Sequence, residues 1–549
     1  MTNALPPLAF GIALLLSSAA AADTLYTNIN GIEADAAGKV ARFDGLLISD
    51  EGKVLRVLRG EKLKLGGDTK VVDMGGKTML PGLIDAHGHV MGLGYALIQL
   101  DLTGTTSLED LKQRLAAYAA ANPGSGWIIG RGWNQELWSD KRFPTAADLD
   151  AVVKDRPVWL GRVDGLAAVG NSAALSAAGI TAATVSPAGG RIENGLFVDN
   201  AMPLVEAKIP APDAAMQDKA FRAAQQAMLR VGLTGAADMG TTKADWDTFR
   251  RFGEKGLLTV RIFSYAGGID NWRGIFGGRT TAWMYDDRLR LAGTKLYADG
   301  ALGSRGAYLK APYHDKPDTR GLSLISTADL TAQADEVAKG RGQLAIHAIG
   351  DAANDQVIGV FETLAKRYGA GRRYRIEHLQ IADPKDLARL KPAGIVASMQ
   401  PTHQTSDRLM AEARLGMKRL GGAYAWNSVL QRRVPLAFGS DFPVESPDPF
   451  PGLSAAISRQ DGKGQPAGGW LPKEKVSLGQ ALKAFTSGAA YAGYAEARFG
   501  GLAPGKWADF IIVDRDPTTI NPQQLSKTVV LQTWVAGKKA YDESDLHAN

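Results

Sequence analysis

Two histidines one residue apart, His87 and His89, close the apolar run PGLIDAHGH. In a strand, side chains at i and i+2 point the same way, so both imidazoles can bind one metal ion. An isolated His-x-His is more often a pair of surface histidines in a loop. Four later residues change that balance. His347 ends the apolar run GQLAI, His378 ends YRIE, Asp441 ends PLAFGS, and Lys295 sits in GTKLYADG. Each has an ordinary structural explanation alone: a satisfied histidine, a helix-capping aspartate, a snorkelling lysine. Their recurrence at the ends of successive apolar runs points to one metal-binding set. The chain has no cysteine, which excludes disulfides, thiolate metal sites and cysteine nucleophiles. Any metal must be held by histidine, carboxylate or a modified lysine. Only seven histidines exist, and the other three are His314, His403 and His547.

A second tier of residues carries weaker signals. Arg305 in LGSRGAY and His403 in MQPTHQ are expected to face the pocket, where either could contact a substrate carbonyl or carboxylate. A purely structural role is about as well supported for both. Trp133, Trp138 and the segment DGLAAVGNS are expected to line the substrate cavity, although core packing explains aromatic residues equally well. Gly439 and Ser440 are expected only to shape the turn before Asp441.

These residues need elements to hold them together. Strand-like runs such as GLIDAH, GQLAIHA, RYRIEH, GIVASMQ and PLAFGSD alternate with helical stretches such as SLEDLKQRLAAYAAA and AANDQVIGVFETLAKRY. Such alternation predicts a parallel sheet with covering helices. In barrels of this kind the chemistry sits at the C-terminal ends of the strands, and there this chain puts His, Asp, Lys and Gln. Residues 24–80 and the end of the chain (ADFIIVD, VVLQTWVAGKKAYD) read as short strands, predicted to pair into one small antiparallel β unit. Residues 122–230, irregular and rich in Trp, Gly and Ala, read as an insertion that builds part of the pocket.

At 549 residues, with 45% apolar and 22% charged residues, the chain can bury a large core. The 63 basic residues barely exceed the 57 acidic ones, and no basic run is interleaved with aromatics, so nucleic acid is not an expected partner. Residues 8–16 are apolar, and Ala20-Ala21-Ala22 fits a small-residue cleavage site. They predict a signal peptide over 1–22 and export to the periplasm or medium, with no stable membrane insertion after cleavage. Basic residues are missing before the apolar stretch, so an N-terminal anchor is the competing explanation.

The stretches PGLIDAHGH, GTKLYADGALGSRGAYL, HAIGDAAND, RIEHLQ, FGSDFPVESPDPF and LAPGKWADFIIVD resemble the amidohydrolase superfamily, in its amidohydrolase-3 (YtcJ-like) branch, over nearly the whole mature chain. The resemblance implies a distorted (β/α)8 TIM barrel over 81–502 and a β-sandwich from 23–80 plus 503–549. It also implies one or two divalent metals, usually zinc, and hydrolysis of amide or other C–N bonds by a metal-activated hydroxide. Residue by residue, His87 and His89 would bind one metal with Asp441, and His347 and His378 the second. Lys295 resembles the lysine that is N6-carboxylated in two-metal members and bridges both ions. An ammonium cannot ligate a cation, whereas a carbamate adds a negative charge. Asp441 would then take the proton of water and pass it to the leaving nitrogen.

One departure stands out. Related sequences commonly read DGHAA where this chain has Asp164-Gly165-Leu166-Ala167-Ala168, and Leu166 can neither ligate nor hydrogen-bond. The expected partner is a small-molecule substrate of the N-acyl or N-formyl type, with a homo-oligomer left open. Lactone or ester hydrolysis at the same metals is the alternative, and a non-catalytic binding protein on this fold ranks last. Deamination fits poorly, because Ala-Ile-Gly-Asp follows His347 without the nearby glutamate expected of deaminases in that superfamily.

Overall fold

The computed structural model describes residues 22–546. All but Ala22 of the expected signal segment, and His547, lie outside the described residues. At the centre is an eight-stranded parallel sheet whose spatial order follows the chain. We number its strands β1 (Leu83–Gly88), β2 (Leu233–Thr241), β3 (Arg261–Gly267) and β4 (Leu289–Tyr297), then β5 (Gln343–Ala348), β6 (Arg375–His378), β7 (Val396–Met399) and β8 (Leu436–Phe438). Strands β5 to β8 are buried throughout, as expected where helices cover the outer face and side chains fill the inner one. This is the distorted (β/α)8 barrel.

Register does the positioning. Tyr297 pairs with His347, and Lys295 pairs with Ala345 two residues earlier, so Lys295 and His347 share a face. Ala348 pairs with His378 on the next strand. Between β8 and β1 the sheet is closed by Asp85 rather than by a ladder. Its carboxylate accepts from Ser440 N at 2.9 Å and Ser440 Oγ at 2.6 Å, and from His87 N at 2.9 Å. Asp441 N donates to His87 O at 2.7 Å, and His89 N to Phe442 O at 2.8 Å.

Two further sheets form the sandwich around Phe43, Leu46, Val54, Met79, Phe510 and Ile512. One has four strands, from Val54–Leu58 through Gly45–Ile48 and Thr24–Thr27 to Lys70–Asp73. In the six-stranded sheet the C-terminal strand Phe510–Val513 lies antiparallel to Thr78–Pro81, so the two ends of the chain meet. The unit is mixed rather than purely antiparallel. Thr24–Thr27 pairs in parallel with Lys70–Asp73, and Asn30–Ala34 in parallel with Thr78–Pro81, because intervening strands carry the chain back before each pairing.

The insertion is a six-stranded sheet running from Leu100–Asp101 through Ile128–Trp133, Val158–Arg162, Ala167–Gly170 and Leu196–Asp199 to Gly190–Glu193. It therefore starts before residue 122 and stops before 230. Helix Leu108–Ala121, expected among the barrel helices, belongs to this unit: Leu111 and Leu115 pack with Leu100, Trp133 and Leu160. Helix Ala214–Arg230 belongs to the barrel, with Phe221, Ala224 and Met228 in the main core beside Val90 and Leu93. Both helices are amphipathic, and periodicity does not say which apolar surface a helix covers.

Candidate metal centre and substrate cavity

The strand ends converge on one buried cluster. His87, His378 and Asp441 each offer a ligand atom, and these atoms lie within 4.8 Å of one another. Asp441 is the hub. One carboxylate oxygen is 3.1 Å from His89 Nε2 and 3.5 Å from His87 Nε2. The other is 3.8 Å from His403 Nε2 and 4.0 Å from His378 Nδ1. Lys295 Nζ stands 3.3 Å from His87 Nε2 and 4.6 Å over the Tyr297 ring. The ring of His347 packs edge-to-face on His378 at 4.5 Å, and the ring of His403 stacks on His378 at 5.9 Å. The six residues expected to form one set are thus brought together, with His403 beside them.

Two members hold left-handed backbone, His378 at φ 76° and Asp441 at φ 63°. That region is unfavourable outside glycine, and such strain concentrates at functional sites. At Asp441 it turns the chain out of β8 so that the carboxylate points back over the strand ends.

The electrostatics favour cation ligands. Burial, with the neighbouring Lys295 charge, pushes the pKa of His87 well below its usual value. Burial and the His378 charge do the same to His347, and burial takes His378 to about 3. Neutral imidazoles have lone pairs to offer. Burial opposes ionisation of Asp441, but the close approach of His89 and the other imidazoles around it outweigh it and hold the carboxyl well below its usual range. Asp441 Oδ1 has no hydrogen-bond partner beyond the approach of His89 Nε2 at 3.1 Å. Buried carboxylate and neutral imidazole donors with unspent lone pairs are what a divalent cation requires, so the residues fit a metal.

Several residues around this set went unnoticed in the sequence. Glu377 is fully buried and holds His87 Nδ1 at 2.6 Å, which directs the other ring nitrogen toward Asp441. Arg375 fixes Glu377 through Nε at 2.7 Å and Nη2 at 3.2 Å, and also donates to Ala86 O and Ser398 Oγ. A signal was available: RIEH places opposite charges two residues apart in an apolar strand, where they must share a face. Gln400 holds His378 Nδ1 at 2.9 Å. Asp299 accepts three backbone N–H groups, from Tyr308, Ile349 and Gly350, and ties the loop after β4 to the end of β5. Burial raises it to about 7 in spite of those bonds.

A cavity of about 590 Å³ opens above the cluster. Leu166 and His403 line it, as expected, with Leu137, Arg131, Arg162 and Asp164 from the insertion. Three expectations fail. Trp133 and Trp138 are buried in the insertion's own core, each spending its indole N–H on a backbone carbonyl, of Leu160 and Thr105. Arg305 does not line the cavity, because Asp315 holds its guanidinium at 2.9 Å. Apolar packing claims the two tryptophans, and a local ion pair claims the arginine.

Comparison with known proteins agrees with this geometry. Residues 70–541 match the amidohydrolase family model Amidohydro_3. YtcJ of Bacillus subtilis (strain 168) is 31% identical over 491 residues, 87% of this chain and 91% of its own. An N-substituted formamide deformylase from Arthrobacter pascens is 26% identical, over 87% of this chain and 91% of its own. The crystal structure of an uncharacterised metal-dependent hydrolase from Pyrococcus horikoshii OT3 superposes with a TM-score of 0.75 at 29% identity, covering 91% of this chain and 99% of that one. The fold is that of metal-dependent hydrolases, and this chain belongs to the amidohydrolase family, in its YtcJ-like branch.

Proposed function

We propose that the protein is a metal-dependent hydrolase of amide or other non-peptide C–N bonds, acting on substrates of the N-acyl or N-formyl type. One observation carries this: neutral imidazoles and an ionised carboxylate converge at the C-terminal mouth of the barrel, beneath a cavity sized for a small molecule. Similarity to an N-substituted formamide deformylase supports the choice of bond.

His87, His89 and Asp441 would hold one divalent cation, and His347 and His378 a second. Lys295, buried against His87, would bridge them as an N6-carbamate, since an ammonium there would repel both. The donor set of histidine nitrogen and carboxylate oxygen suits zinc. Bound metal supplies Lewis acidity and lowers the pKa of water toward ~7. Asp441 receives the proton that water loses on attacking the acyl carbon, and delivers it to the nitrogen as the C–N bond breaks. His403 Nε2, unpartnered and beside Asp441, is placed to donate to the substrate carbonyl. Glu377 keeps the His87 ring oriented throughout. Export, with cleavage after Ala22, is part of this proposal and is read by N-terminal sequencing of the mature protein.

The test is metal analysis followed by a substrate panel of formamides, N-acyl amino acids, aryl amides, carbamates and lactones. Firmly bound metal with turnover of an amide or formamide is expected. Less than about one equivalent of metal after metal-replete expression would remove the enzyme reading. Turnover of lactones or esters alone would replace the C–N assignment.

A further inference from the structure

Arg131 lies on the insertion strand Ile128–Trp133, whose ladder with Val158–Arg162 slips between Arg131 and Trp133, beside Gly132 at φ 112°. Trp133 turns into the insertion core, while Arg131 turns to the cavity. Glycines surround its side chain. A Cβ on Gly161 would lie 3.7 Å from Arg131 Cγ, one on Gly165 3.4 Å from Nη2, and one on Gly92 3.8 Å from Nη1. The Gly92 position is also 3.2 Å from His89 Cβ, so the guanidinium reaches the rim of the metal centre.

What distinguishes Arg131 is spare donor capacity. Nη2 donates to Val163 O at 2.7 Å, and Nε is buried without a partner. The other arginines nearby are committed. Arg162 is held by Gln135, Asn134 and Asp164. Arg414 also has an unpartnered Nε, but both its terminal nitrogens are held, by Asp315, Glu136 and Gly303 O, and it does not line the cavity. The wall carboxyls are committed too: Asp238 to Val90 N and Thr241, Asp407 to Gln380 and Tyr424, and Glu445 to Ser406.

The charges around Arg131 are those of Asp441 and Asp164. Arg162 already neutralises Asp164, and a bound metal would engage Asp441. A guanidinium with open donors, partly desolvated beside a dication, then lacks a counter-charge. An uncharged amide would leave it so, and unmet donors in a closed site weaken binding. A carboxylate meets both the charge and the paired N–H geometry. Leu137, Leu166, Met410 and Val444 supply an apolar wall in the same cavity. We propose that the substrate is an amide carrying a carboxylate, of the N-acyl amino acid class with an apolar side chain, and that Arg131 receives the carboxylate. This rests on the hydrolase reading above and narrows it.

The test uses zinc-loaded enzyme and two matched pairs: N-formylphenylalanine against its C-terminal amide, and the non-hydrolysable 3-phenylpropanoate against 3-phenylpropanol. Wild type is expected to favour the acid of each pair by at least about tenfold, in kcat/KM and in calorimetric Kd, from one charge-assisted pair. Arg131→Met should reduce that ratio at least about tenfold, chiefly through KM, and Arg131→Lys should fall between. Circular dichroism and metal content report whether each variant is folded and loaded, and Arg131→Lys carries the test if Arg131→Met is not. An acid-to-neutral ratio near one in wild type, or one unchanged in a folded, loaded variant, overturns the proposal. Charge-dependent binding without hydrolysis of any panel member would uphold Arg131 as receptor and refute the C–N assignment alone.

Discussion

At the scale of single residues, the centre is a chain of fixed orientations. Arg375 holds Glu377, Glu377 holds His87, and His87 meets Asp441 and Lys295. Asp441→Asn keeps the shape but removes the proton acceptor and an anionic metal ligand, so metal affinity should drop and kcat should fall by at least ~10² even at saturating metal. Turnover kinetics paired with metal analysis check this. Glu377→Gln should weaken metal affinity about 10- to 100-fold, read by chelator competition, because the ring loses its carboxylate partner. In the metal-free protein, His378 has a pKa of about 3 folded and ~6.5 unfolded. Between those values the unfolded chain binds the extra proton, so the contribution of His378 to stability is complete above ~6.5 and is lost as pH falls toward its folded pKa. Urea titrations at several pH values should show a slope that is shallower in His378→Asn than in wild type by up to about 1.4 kcal/mol per pH unit, the remainder coming from His87 and His347.

At the scale of elements, ligands from β1, β4, β5, β6 and the turn after β8 meet because parallel strands end on one side of the sheet. Their alternation with helices was visible in apolar runs and their polar ends. The β8–β1 seam was not, since it depends on Asp85 reaching a turn 355 residues away. That seam has no room for a side chain at Gly439, where a Cβ would lie 2.3 Å from Asp85 Oδ1 and 2.6 Å from His87 N. Gly439→Ala should destabilise the fold by roughly 1–3 kcal/mol and lower metal occupancy, seen in thermal melts with and without metal. A wild-type melt would show that the seam tolerates displacement. The insertion's true limits were hidden for a related reason. Helices Leu108–Ala121 and Ala214–Arg230 carry similar amphipathic patterns, and only packing reveals which sheet each one covers.

At the scale of the molecule, the sandwich is fastened to the barrel by a buried ion pair. Arg261, at the start of β3, binds Asp509 through Nε at 2.6 Å and Nη2 at 2.8 Å, and Ala536 N donates to the same carboxylate at 2.8 Å. Asp509→Ala should cost about 3–5 kcal/mol in urea unfolding, because it strands a buried guanidinium. A loss below about 1 kcal/mol would mean that water reaches Arg261 once its partner is gone. The six candidate ligands, the barrel and the joining of the chain ends were all legible in the sequence. Each leaves a local mark: a polar residue closing an apolar run, or alternation with a fixed period. Tertiary structure alone decided which polar side chains were already spent. Trp133, Trp138 and Arg305 satisfy themselves on neighbours within the fold, whereas Arg131 keeps donors open toward the cavity. Whether a donor is free depends on what lies opposite it in space, and linear order does not carry that information.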